Sequence, residues 1–433
     1  MFKEFIKYAV PSVFAMFISS MYVIVDGIFV GQGVGALALG AVNLVMPISI
    51  LFFGIASMFA VGGGALISES FGNGNIKKGI SIFREIFIFL LILSFILSLV
   101  FFIFSKQIVI FLGASDKILE LADIYLKYYV AFCIPNIIGI SLSSFIRNDG
   151  NPKLAMVGTI CGACLNIFLD YIFIFIFKWG IKGAAIATGL GQIFTVLVIL
   201  LHFLLKKGHL SFGKSKIYKE NIFNFIRIGF PSFFMEITFS IIIFCMNFAI
   251  LKIGNESQMA SFGIINYLTT IIYMLLLGLS FGIQPLFSFN HGAKNYVKVS
   301  KFYKFTMLGS FSINLVYFII LYIWGNKVIG FFTNDIFLIK ETYIGLIIFN
   351  FAFFVIGINV IQSGYYQSIN EPQKSNIISI FRSIVFFPVV LLISSKYLGL
   401  NGIWLSTLFS EILCFITWSF LFKKNRKIKV ASF

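Results

Sequence analysis

Four acidic side chains lie inside long apolar stretches of this sequence, and they are the residues best placed to do chemistry: Asp26, Asp170, Glu236 and Glu411. A charged group in the hydrocarbon of a membrane costs about 3 kcal/mol or more unless it faces a partner or a water-filled cavity, so such groups are candidates for function. Asp26 is the clearest case, because residues 11–35 form an apolar run long enough to cross a bilayer as a helix. The alternative is that Asp26 only joins two helices.

Asp170 has a polar companion at helical spacing. It ends the run Asn166-Ile-Phe-Leu-Asp170, in which the i, i+4 spacing puts Asn166 and Asp170 on one face of a helix. Together with Asp26, these residues could hold Na⁺, a hard cation that prefers oxygen ligands. The two carboxylates could equally share one proton, since they repel each other when both are charged. Both possibilities remain open at this point.

The second part of the chain has a carboxylate of its own, Glu236. It could face a cation or serve a second proton path, and the simpler alternative is a hydrogen bond between two helices. Glu411 aligns with Gln192 in the repeat described below, so a structural hydrogen bond and a role in transport are equally reasonable for it.

The composition places these acids in a membrane. Of the 433 residues, 59% are hydrophobic and only 11% are charged, which is too little charge for the surface of a water-soluble protein of this size. Apolar runs of about 20 residues recur along the whole chain, and they must be helical because backbone groups in lipid need partners within the segment. We therefore predict an all-α integral membrane protein. Its twelve predicted spans are 9–30, 36–68, 83–105, 120–146, 153–177, 181–205, 224–251, 257–290, 302–325, 341–369, 374–396 and 400–422.

The charge distribution predicts the orientation. A net charge of +17 would suggest a nucleic-acid partner in a soluble domain. Here the basic residues lie in the short loops between spans, so the preference of Lys and Arg for the cytoplasmic side explains them better, and no nucleic-acid partner is expected. The side of the membrane that carries the amino terminus holds 24 of the 33 Lys and Arg residues. This predicts a multi-pass protein of the cytoplasmic membrane with both termini in the cytoplasm.

The chain repeats itself at an offset of about 220 residues. The run Lys7-Tyr8-Ala9-Val10-Pro11-Ser12 matches Arg227-Ile228-Gly229-Phe230-Pro231-Ser232. Further pairs at an offset of 220 or 219 are Gly62 and Gly282, Gly72 and Gly292, Asn75 and Asn295, Pro152 and Pro372, Gly180 and Gly399, and Gly183 and Gly402. Six spans per repeat predict two six-helix bundles with the same orientation, related by a pseudo-two-fold axis along the membrane normal. The binding site should lie between or within them.

The repeat also predicts the domain boundaries and shows where the halves differ. The predicted segments are a first bundle (1–205), a cytoplasmic linker (206–223), a second bundle (224–422) and a basic cytoplasmic tail (423–433). Asp26 aligns with Met246, and Asp170 aligns with an apolar region near 389–390, so the acidic pair belongs to the first bundle alone. Because one chain contains a complete cavity, a monomer should be sufficient for function.

Together these residues resemble a known family. Pro11, the Asp26-Gly27 pair followed by Gly31, the Asn166/Asp170 pair and the run Gly183-Ala-Ala-Ile-Ala-Thr188 resemble the multidrug and toxic compound extrusion (MATE) transporters. The runs Gly282-Ile-Gln284-Pro285, Asn290-His-Gly292-Ala293 and Arg147-Asn-Asp149-Gly150-Asn-Pro152 are similar to the MepA-like bacterial branch of that family. The resemblance covers essentially the whole chain.

The resemblance implies a site and an activity. The cation or proton site would consist of Asp26, Asn166, Asp170 and Thr188, with Tyr22 one helical turn from Asp26. The activity would be efflux of bulky, lipophilic, often cationic drugs or dyes in exchange for Na⁺ or H⁺ by alternating access, which can confer antibiotic resistance.

The resemblance also bears on the second bundle. The span-seven glutamate of the family is similar to Glu236 in position, and with Gln284 it forms the candidate substrate or proton site of this bundle. No acid lies deep inside span ten, so no Na⁺ site that depends on such an acid is implied. Pro11 would be the point at which span one bends. No cofactor is expected, and Na⁺ is the only metal ion considered, at the first-bundle site.

Other classes of function fit the sequence less well. A flippase of lipid-linked precursors in the same superfamily should favour Arg or Lys inside the cavity, to hold pyrophosphate. The sequence suggests instead that Arg147 and Arg382 lie near cytoplasmic ends of spans. An enzyme embedded in the membrane would need a convergent His, Asp or Ser constellation, whereas His202, His209 and His291 are scattered. We therefore expect a transporter of cations rather than an enzyme or a transporter of anions.

Overall fold

The computed structural model describes residues 1–215, 217–254 and 256–430. Within these residues every regular element is a helix, as predicted. Lys216 of the predicted linker and residues 431–433 of the predicted tail lie outside the described residues. The α-helices are α1 (Phe2–Gly33), α2 (Ala36–Gly72), α3 (Ile76–Ile103), α4 (Ser105–Phe111), α5 (Asp116–Ala131), α6 (Cys133–Asn148), α7 (Pro152–Asp170), α8 (Ile181–Leu204), α9 (Lys219–Ile253), α10 (Glu256–Gly292), α11 (Tyr296–Ile329), α12 (Ile336–Ser368), α13 (Pro372–Ile380) and α14 (Phe387–Val430). Two π-helical segments, Tyr171–Ile176 and Phe381–Phe386, follow α7 and α13.

The number of membrane crossings agrees with the twelve-span prediction. In the described chain, ten helical stretches are long and apolar enough to cross a membrane, and the bent pair α5–α6 is an eleventh. One of the ten, Pro372–Phe422, has 51 residues. That corresponds to about 75 Å of helix, more than twice the ~30 Å of a bilayer core. The backbone leaves the helical conformation at Gly399 inside this stretch, so it is two crossings and the total is twelve.

The backbone repeats as predicted. Asn75 and Asn295 each precede a helix, and each side-chain oxygen accepts a hydrogen bond of 3.1 Å from the backbone N–H three residues later. Gly180 and Gly399 have nearly the same dihedral angles, φ 60° and ψ −141° against φ 59° and ψ −134°. A side chain disfavours this region, which explains the glycine at both positions. The two halves are therefore two copies of one six-helix bundle, each with a buried apolar core.

The fourth crossing differs from the single span predicted over 120–146. The structure divides it into α5 and α6, which meet at Phe132 with a bend of 51°. Pro135, in the first turn of α6, has no N–H with which to continue the hydrogen-bond ladder of α5. Gly189 of α8 leaves room for the Phe132 ring, because a Cβ at Gly189 would lie 2.1 Å from that ring.

The two bundles touch at the end of the molecule where α1 begins and α2 ends, which we call the terminal end. A Cβ added at Gly72 would lie 2.0 Å from the carbonyl oxygen of Phe289, and one added at Gly292 would lie 2.2 Å from that of Glu69. At Gly62 the added Cβ would lie 2.3 Å from a backbone oxygen of α9. Glycines that reveal the repeat thus let the helices of the two bundles meet backbone to backbone, and the terminal end is closed.

Candidate functional site

The first-bundle candidates come together around two carboxylates. Asp26 of α1 faces Asp170, the last residue of α7, within hydrogen-bonding reach. Because ionised carboxylates only accept hydrogen bonds, no bond can join them without a proton. Asp170 is fully buried, and neither its two oxygens nor Oδ1 of Asp26 has a hydrogen-bond donor among the described residues. Buried polar atoms in native proteins are almost always paired, so these oxygens are placed to take up a proton or a cation.

Asn166 and Thr188 complete the group that the sequence predicted. The amide nitrogen of Asn166 lies 3.4 Å from the hydroxyl oxygen of Thr188 in α8, and Oδ1 of Asn166 is buried without a donor in the described chain. Gly191 explains how α8 approaches so closely. A Cβ at this position would lie 2.8 Å from a backbone oxygen of α7 and 3.0 Å from the Cβ of Asn166.

The backbone widens directly after Asp170. Residues Tyr171–Ile176 form a π-helix, and single π-helical turns inside longer helices are frequent at functional sites. The segment packs on the end of α1, where the rings of Phe29 and Phe175 meet edge to face with centroids 5.5 Å apart. This contact holds the end of α1 against the crossing that carries Asp170, and so helps to position Asp26.

Two tyrosines lie beside the carboxylates, and a third stacks on one of them. Tyr22 lies one turn before Asp26 in α1 and close to both acids. Tyr125 of α5 also lies close to both acids. The Tyr129 ring stacks on that of Tyr125 with centroids 6.0 Å apart, and the Asn136 amide donates to the Tyr129 hydroxyl at 3.3 Å. Tyr125, Tyr129 and Asn136 are not among the residues predicted from the sequence. The i, i+4 spacing of the two tyrosines was a usable signal, and Pro135 indicates a kink in this span, but neither shows that the kink brings Asn136 to Tyr129.

The donor set suits a hard monovalent cation or a proton. It consists of two carboxylates, one amide and several hydroxyl groups, all of them oxygen ligands. Among the described residues, no group of three or more His, Cys, Asp or Glu side chains is arranged to hold a metal ion. Two negative charges in one buried site repel each other unless a proton or a cation is bound there. The site can therefore exist in at least two states, with and without a bound proton or cation.

Glu236 is a second buried acid without a full set of partners. It lies in α9 with 6% of its surface exposed, and its Oε1 is buried without a donor among the described residues. Tyr273 of α10 lies beside it, with its hydroxyl donating to the carbonyl oxygen of Met235 at 3.3 Å. Glu236 therefore shares with Asp170 the character of an unsatisfied acid inside a bundle.

A buried ion pair lies close to Tyr273. Nε of Arg382 donates to Oε1 of Glu411, and both side chains are at most 5% exposed. The second carboxylate oxygen of Glu411 accepts from the Asn359 amide at 2.6 Å, and the Trp418 indole donates to Oδ1 of Asn359 at 2.8 Å. Both oxygens of Glu411 are thus occupied, which favours the structural alternative for this residue.

The expectation that Arg382 lies near the cytoplasmic end of a span is wrong. Arg382 lies ten residues into the crossing that begins at Pro372, about 15 Å along the helix, and it is buried. The depth is tolerated because Glu411 neutralises the charge. At the positions equivalent to Arg382, Asn359 and Glu411, the first bundle has Gly162, Gly139 and Gln192. The ion pair therefore belongs to the second bundle alone, as the acidic pair belongs to the first.

Gln284 lies at the terminal end, where it joins the two bundles. Its Oε1 accepts from the Asn148 amide at 3.2 Å, and its Nε2 donates to the Ser288 hydroxyl at 3.0 Å. Ser68 donates to Oδ1 of the same Asn148 at 2.7 Å. A polar chain thus runs from α2 through α6 to α10. These partners differ from those of Glu236, so the structure does not bring the two predicted second-bundle residues together.

Pro11 lies inside α1, which continues through it as a helix from Phe2 to Gly33. The following residue, Ser12, packs on α10, where a Cβ added at Gly278 would lie 2.9 Å from its carbonyl oxygen. Because proline removes one hydrogen bond from the helical ladder, the weak point of α1 lies where this helix crosses the other bundle.

Comparison with known proteins identifies the class. A family model described as MatE matches residues 11–172 and 231–392. The two matched segments begin and end 220 residues apart, the offset of the internal repeat. The chain therefore belongs to the MatE family, the MATE transporters, and the resemblance stated from the sequence is confirmed.

Individual relatives agree with this class. The multidrug export protein MepA of Staphylococcus saprophyticus is 27% identical over 420 residues, which cover 95% of this chain and 91% of that protein. The outward-facing conformation of a multidrug resistance MATE family transporter has a TM-score of 0.93 at 24% identity, covering 100% of this chain and 97% of that one. A MOP superfamily transporter from Pyrococcus furiosus has a TM-score of 0.91 at 23% identity, covering 98% of this chain and 95% of that one. It is described as having a binding pocket of reverse polarity that suggests a different function. The two structural likenesses show the twelve-helix fold.

Proposed function

We propose that this protein exports bulky, lipophilic, mostly cationic compounds across the cell membrane in exchange for Na⁺ or H⁺. The observation that carries the proposal is the pair of Asp26 and Asp170, whose buried oxygens have no donors among the described residues. Two acids in this setting are costly for a membrane protein. The cost is understandable if the pair is loaded and unloaded with the coupling ion during each transport cycle.

The geometry of the pair supports a mechanism of coupling. With both carboxylates charged, their repulsion pushes α1 away from α7, and a shared proton or Na⁺ removes that repulsion. Asn166 and Thr188 supply neutral oxygens that could complete a Na⁺ site, and the Tyr22 hydroxyl could donate to a charged Asp26. A ligand shifts a conformational equilibrium only by its differential affinity for the two states. The separation of α1 and α7 is the property that would differ between them.

The transport cycle alternates between states that are open at opposite ends. The contacts at Gly72 and Gly292 and the bond between Asn148 and Gln284 close the terminal end. Because most Lys and Arg residues lie at this end, we take it as cytoplasmic, so the structure corresponds to a state that is closed towards the cytoplasm. The similarity to an outward-facing MATE transporter supports this assignment. Bending of α1 near Pro11 would help the bundles to separate.

Charge argues for cationic cargo. A shared fold does not decide what a transporter carries, and the relative described with reverse pocket polarity is an example. Here the first bundle presents Asp26 and Asp170, and the second presents Glu236, which we propose as its substrate or proton site. The positive charge of Arg382 is neutralised by Glu411. Aromatic rings such as that of Tyr22 would add cation–π attraction.

The moving parts would lie within one chain. The bundles 1–205 and 224–422 would move as two bodies joined by the linker 206–223. Because both bundles belong to one polypeptide, a monomer would suffice. Gln284 could contact a substrate only when the terminal end opens, since its amide is engaged with Asn148 and Ser288 in the closed interface.

The test is export of a fluorescent lipophilic cation from cells and its uptake by everted vesicles, with Na⁺ and proton gradients imposed separately. Asp26→Asn keeps the shape of the side chain and removes the charge. We expect it to lower gradient-driven transport at least tenfold, and Asp170→Asn to do the same. Glu120→Gln is the matched control, because it removes one carboxylate from an exposed position of α5 and should leave transport unchanged.

Each outcome has a defined meaning. The gradient that drives transport in the parent names the coupling ion. If Asp26→Asn is present in the membrane in normal amount and still transports at the parental rate, the coupling role of the pair is wrong and Glu236 becomes the next candidate. If the parent moves no cation under either gradient, the export proposal fails. A flippase of lipid-linked precursors then becomes the better hypothesis.

A further inference from the structure

A cleft of 230 Å³ lies at the terminal end of the first bundle, outside the carboxylate site. Its walls are the first two turns of α3 and the segment that follows α8. The lining residues are Lys77, Ile80, Ser81, Arg84, Lys214 and Ser215. None of these six is acidic, and the two lysines form no salt bridge with any described residue. The cleft therefore carries three positive charges and no acidic residue in its lining.

The walls of the cleft are held in place by hydrogen bonds. The Asp149 carboxylate accepts from the backbone N–H groups of His209 at 2.8 Å and Leu210 at 3.0 Å, which fixes the linker against α6. Nε and Nη2 of Arg84 donate to the carbonyl and hydroxyl oxygens of Ser211, at 2.9 and 2.8 Å. The cleft is thus a preformed site and not a chance meeting of mobile surface side chains.

The donor groups in the cleft match a phosphate. Ser211 uses two of the five N–H donors of Arg84, so others remain for a ligand. Glu85, the acid next to Arg84 in sequence, is engaged elsewhere, since it accepts from the Tyr218 backbone at 2.6 Å and the Asn221 amide at 2.8 Å. A guanidinium, two ammonium groups and the Ser81 hydroxyl, with no acid in the lining, are the kind of donors that bind phosphate in proteins.

The face of α3 above the cleft is suited to an acyl chain. Lys77, Ser81 and Arg84 follow i, i+4, i+7 spacing and so share one face of the helix. Arg84 is about 10 Å along the helix from Lys77, a distance comparable with the depth of the headgroup layer. The same face of the helix continues into the hydrocarbon with exposed apolar side chains. They are Leu91, Phe95 and Leu99, with exposures of 37%, 58% and 50%.

We infer that this cleft binds the phosphate of a phospholipid headgroup in the leaflet at the terminal end, with an acyl chain along the exposed face of α3. An anionic headgroup is preferred, because a choline group would bring a positive charge towards three cations. The bound lipid would tie both the start of α3 and the linker to the membrane surface.

The test is native mass spectrometry of the full-length protein with equal amounts of phosphatidylglycerol and phosphatidylcholine. The parent should bind phosphatidylglycerol in preference. The variant Lys77→Gln/Arg84→Gln/Lys214→Gln should bind it at least tenfold more weakly, since loss of a single direct hydrogen bond to a charged group costs a factor of about ten. The matched control is Lys298→Gln/Lys301→Gln/Lys304→Gln, which removes three charges from the equivalent helix start in α11. It should change binding less than about twofold, because these lysines do not line the cleft and their attraction to the lipid is screened by salt.

A second variant tests the space in the cleft while its charge is kept. Ser81→Phe fills the cleft at an exposed position of α3 without changing the net charge, and we expect it to weaken phosphatidylglycerol binding as much as the triple variant does. Unchanged binding in Ser81→Phe, or an equal loss in the α11 control, would identify nonspecific attraction and overturn the inference. Displacement of the lipid by inorganic phosphate would overturn it too, because the site would then belong to a soluble anion.

Discussion

Replacing Gly72 with alanine should open the terminal end of this transporter. The new Cβ would lie 2.0 Å from the carbonyl oxygen of Phe289 and 2.9 Å from the backbone nitrogen of Ala293. Ordinary contact begins at 3.4 Å, so α2 and α10 must move apart by about 1.4 Å along the line from the new Cβ to the Phe289 carbonyl oxygen. Both neighbours are backbone atoms that cannot rotate away, so the strain acts on the contact between the bundles.

The size of the effect follows from that strain. Overpacking of this kind costs about 1–3 kcal/mol, and here it applies only to the state in which the two backbones touch. The equilibrium between closed and open terminal ends should therefore shift by about 5- to 150-fold towards the open state. Gly40→Ala is the matched control, because Gly40 lies in the same helix and a Cβ added there meets nothing within 4 Å.

The assay is the distance between spin labels at Lys78 and Lys301, which are exposed positions near the terminal ends of the two bundles. The labels are introduced into a chain whose five native cysteines have been replaced. Gly72→Ala should populate a longer distance that is rare in the parent and in Gly40→Ala. If Gly72→Ala and Gly40→Ala have the same distance distribution, the interface does not control the opening and the reasoning is refuted.

Three further predictions concern other contacts. Arg382→Gln should lower the free energy of unfolding by about 3–5 kcal/mol, because it leaves Glu411 buried without its counter-charge, whereas Arg382→Met with Glu411→Leu should cost far less. Thermal unfolding in detergent compares them, and equal losses would contradict the ion-pair argument. Gln284→Ala removes the bond to Asn148 that joins the bundles, and at about 1 kcal/mol per hydrogen bond it should raise the open population about fivefold in the same spin-label assay. An unchanged distance distribution would show that this bond does not close the terminal end. Gly399→Ala should cost about 1–3 kcal/mol in the unfolding assay because φ is 59° there. No loss of stability would mean that the backbone can turn at this position by another route.

Much of the fold could be predicted because it depends on local properties of the chain. The length of an apolar run decides whether a helix can cross the bilayer, and the spacing of repeated residues shows that two bundles are related. The acidic pair was found in the same way, since Asp26 and Asp170 are costly where they stand, whatever surrounds them. Asn166 followed from Asp170 by helical spacing alone.

Other features could not be predicted because they depend on residues that are distant in the sequence. From its place along the chain, Arg382 is expected near the end of its span. Its charge is stable inside the bundle only because Glu411 lies beside it on another crossing. Gln284 was assigned to a site with Glu236, whereas its hydrogen bond to Asn148 crosses between the bundles.

The linear chain is enough to show the class of protein, the twelve crossings, the two-fold repeat and the acids that must face something other than lipid. The crossings and the acids follow from the cost of placing particular residues in a membrane, and the repeat follows from residues that recur at a fixed offset, so neither needs knowledge of the folded neighbours. Which acids meet depends on the folded structure. It joins Asp26 to Asp170, neutralises Glu411 with Arg382 and leaves Glu236 beside Tyr273. The physical reason is that pairing depends on how glycines such as Gly191 let separate helices approach, and that approach is a property of the packed bundle.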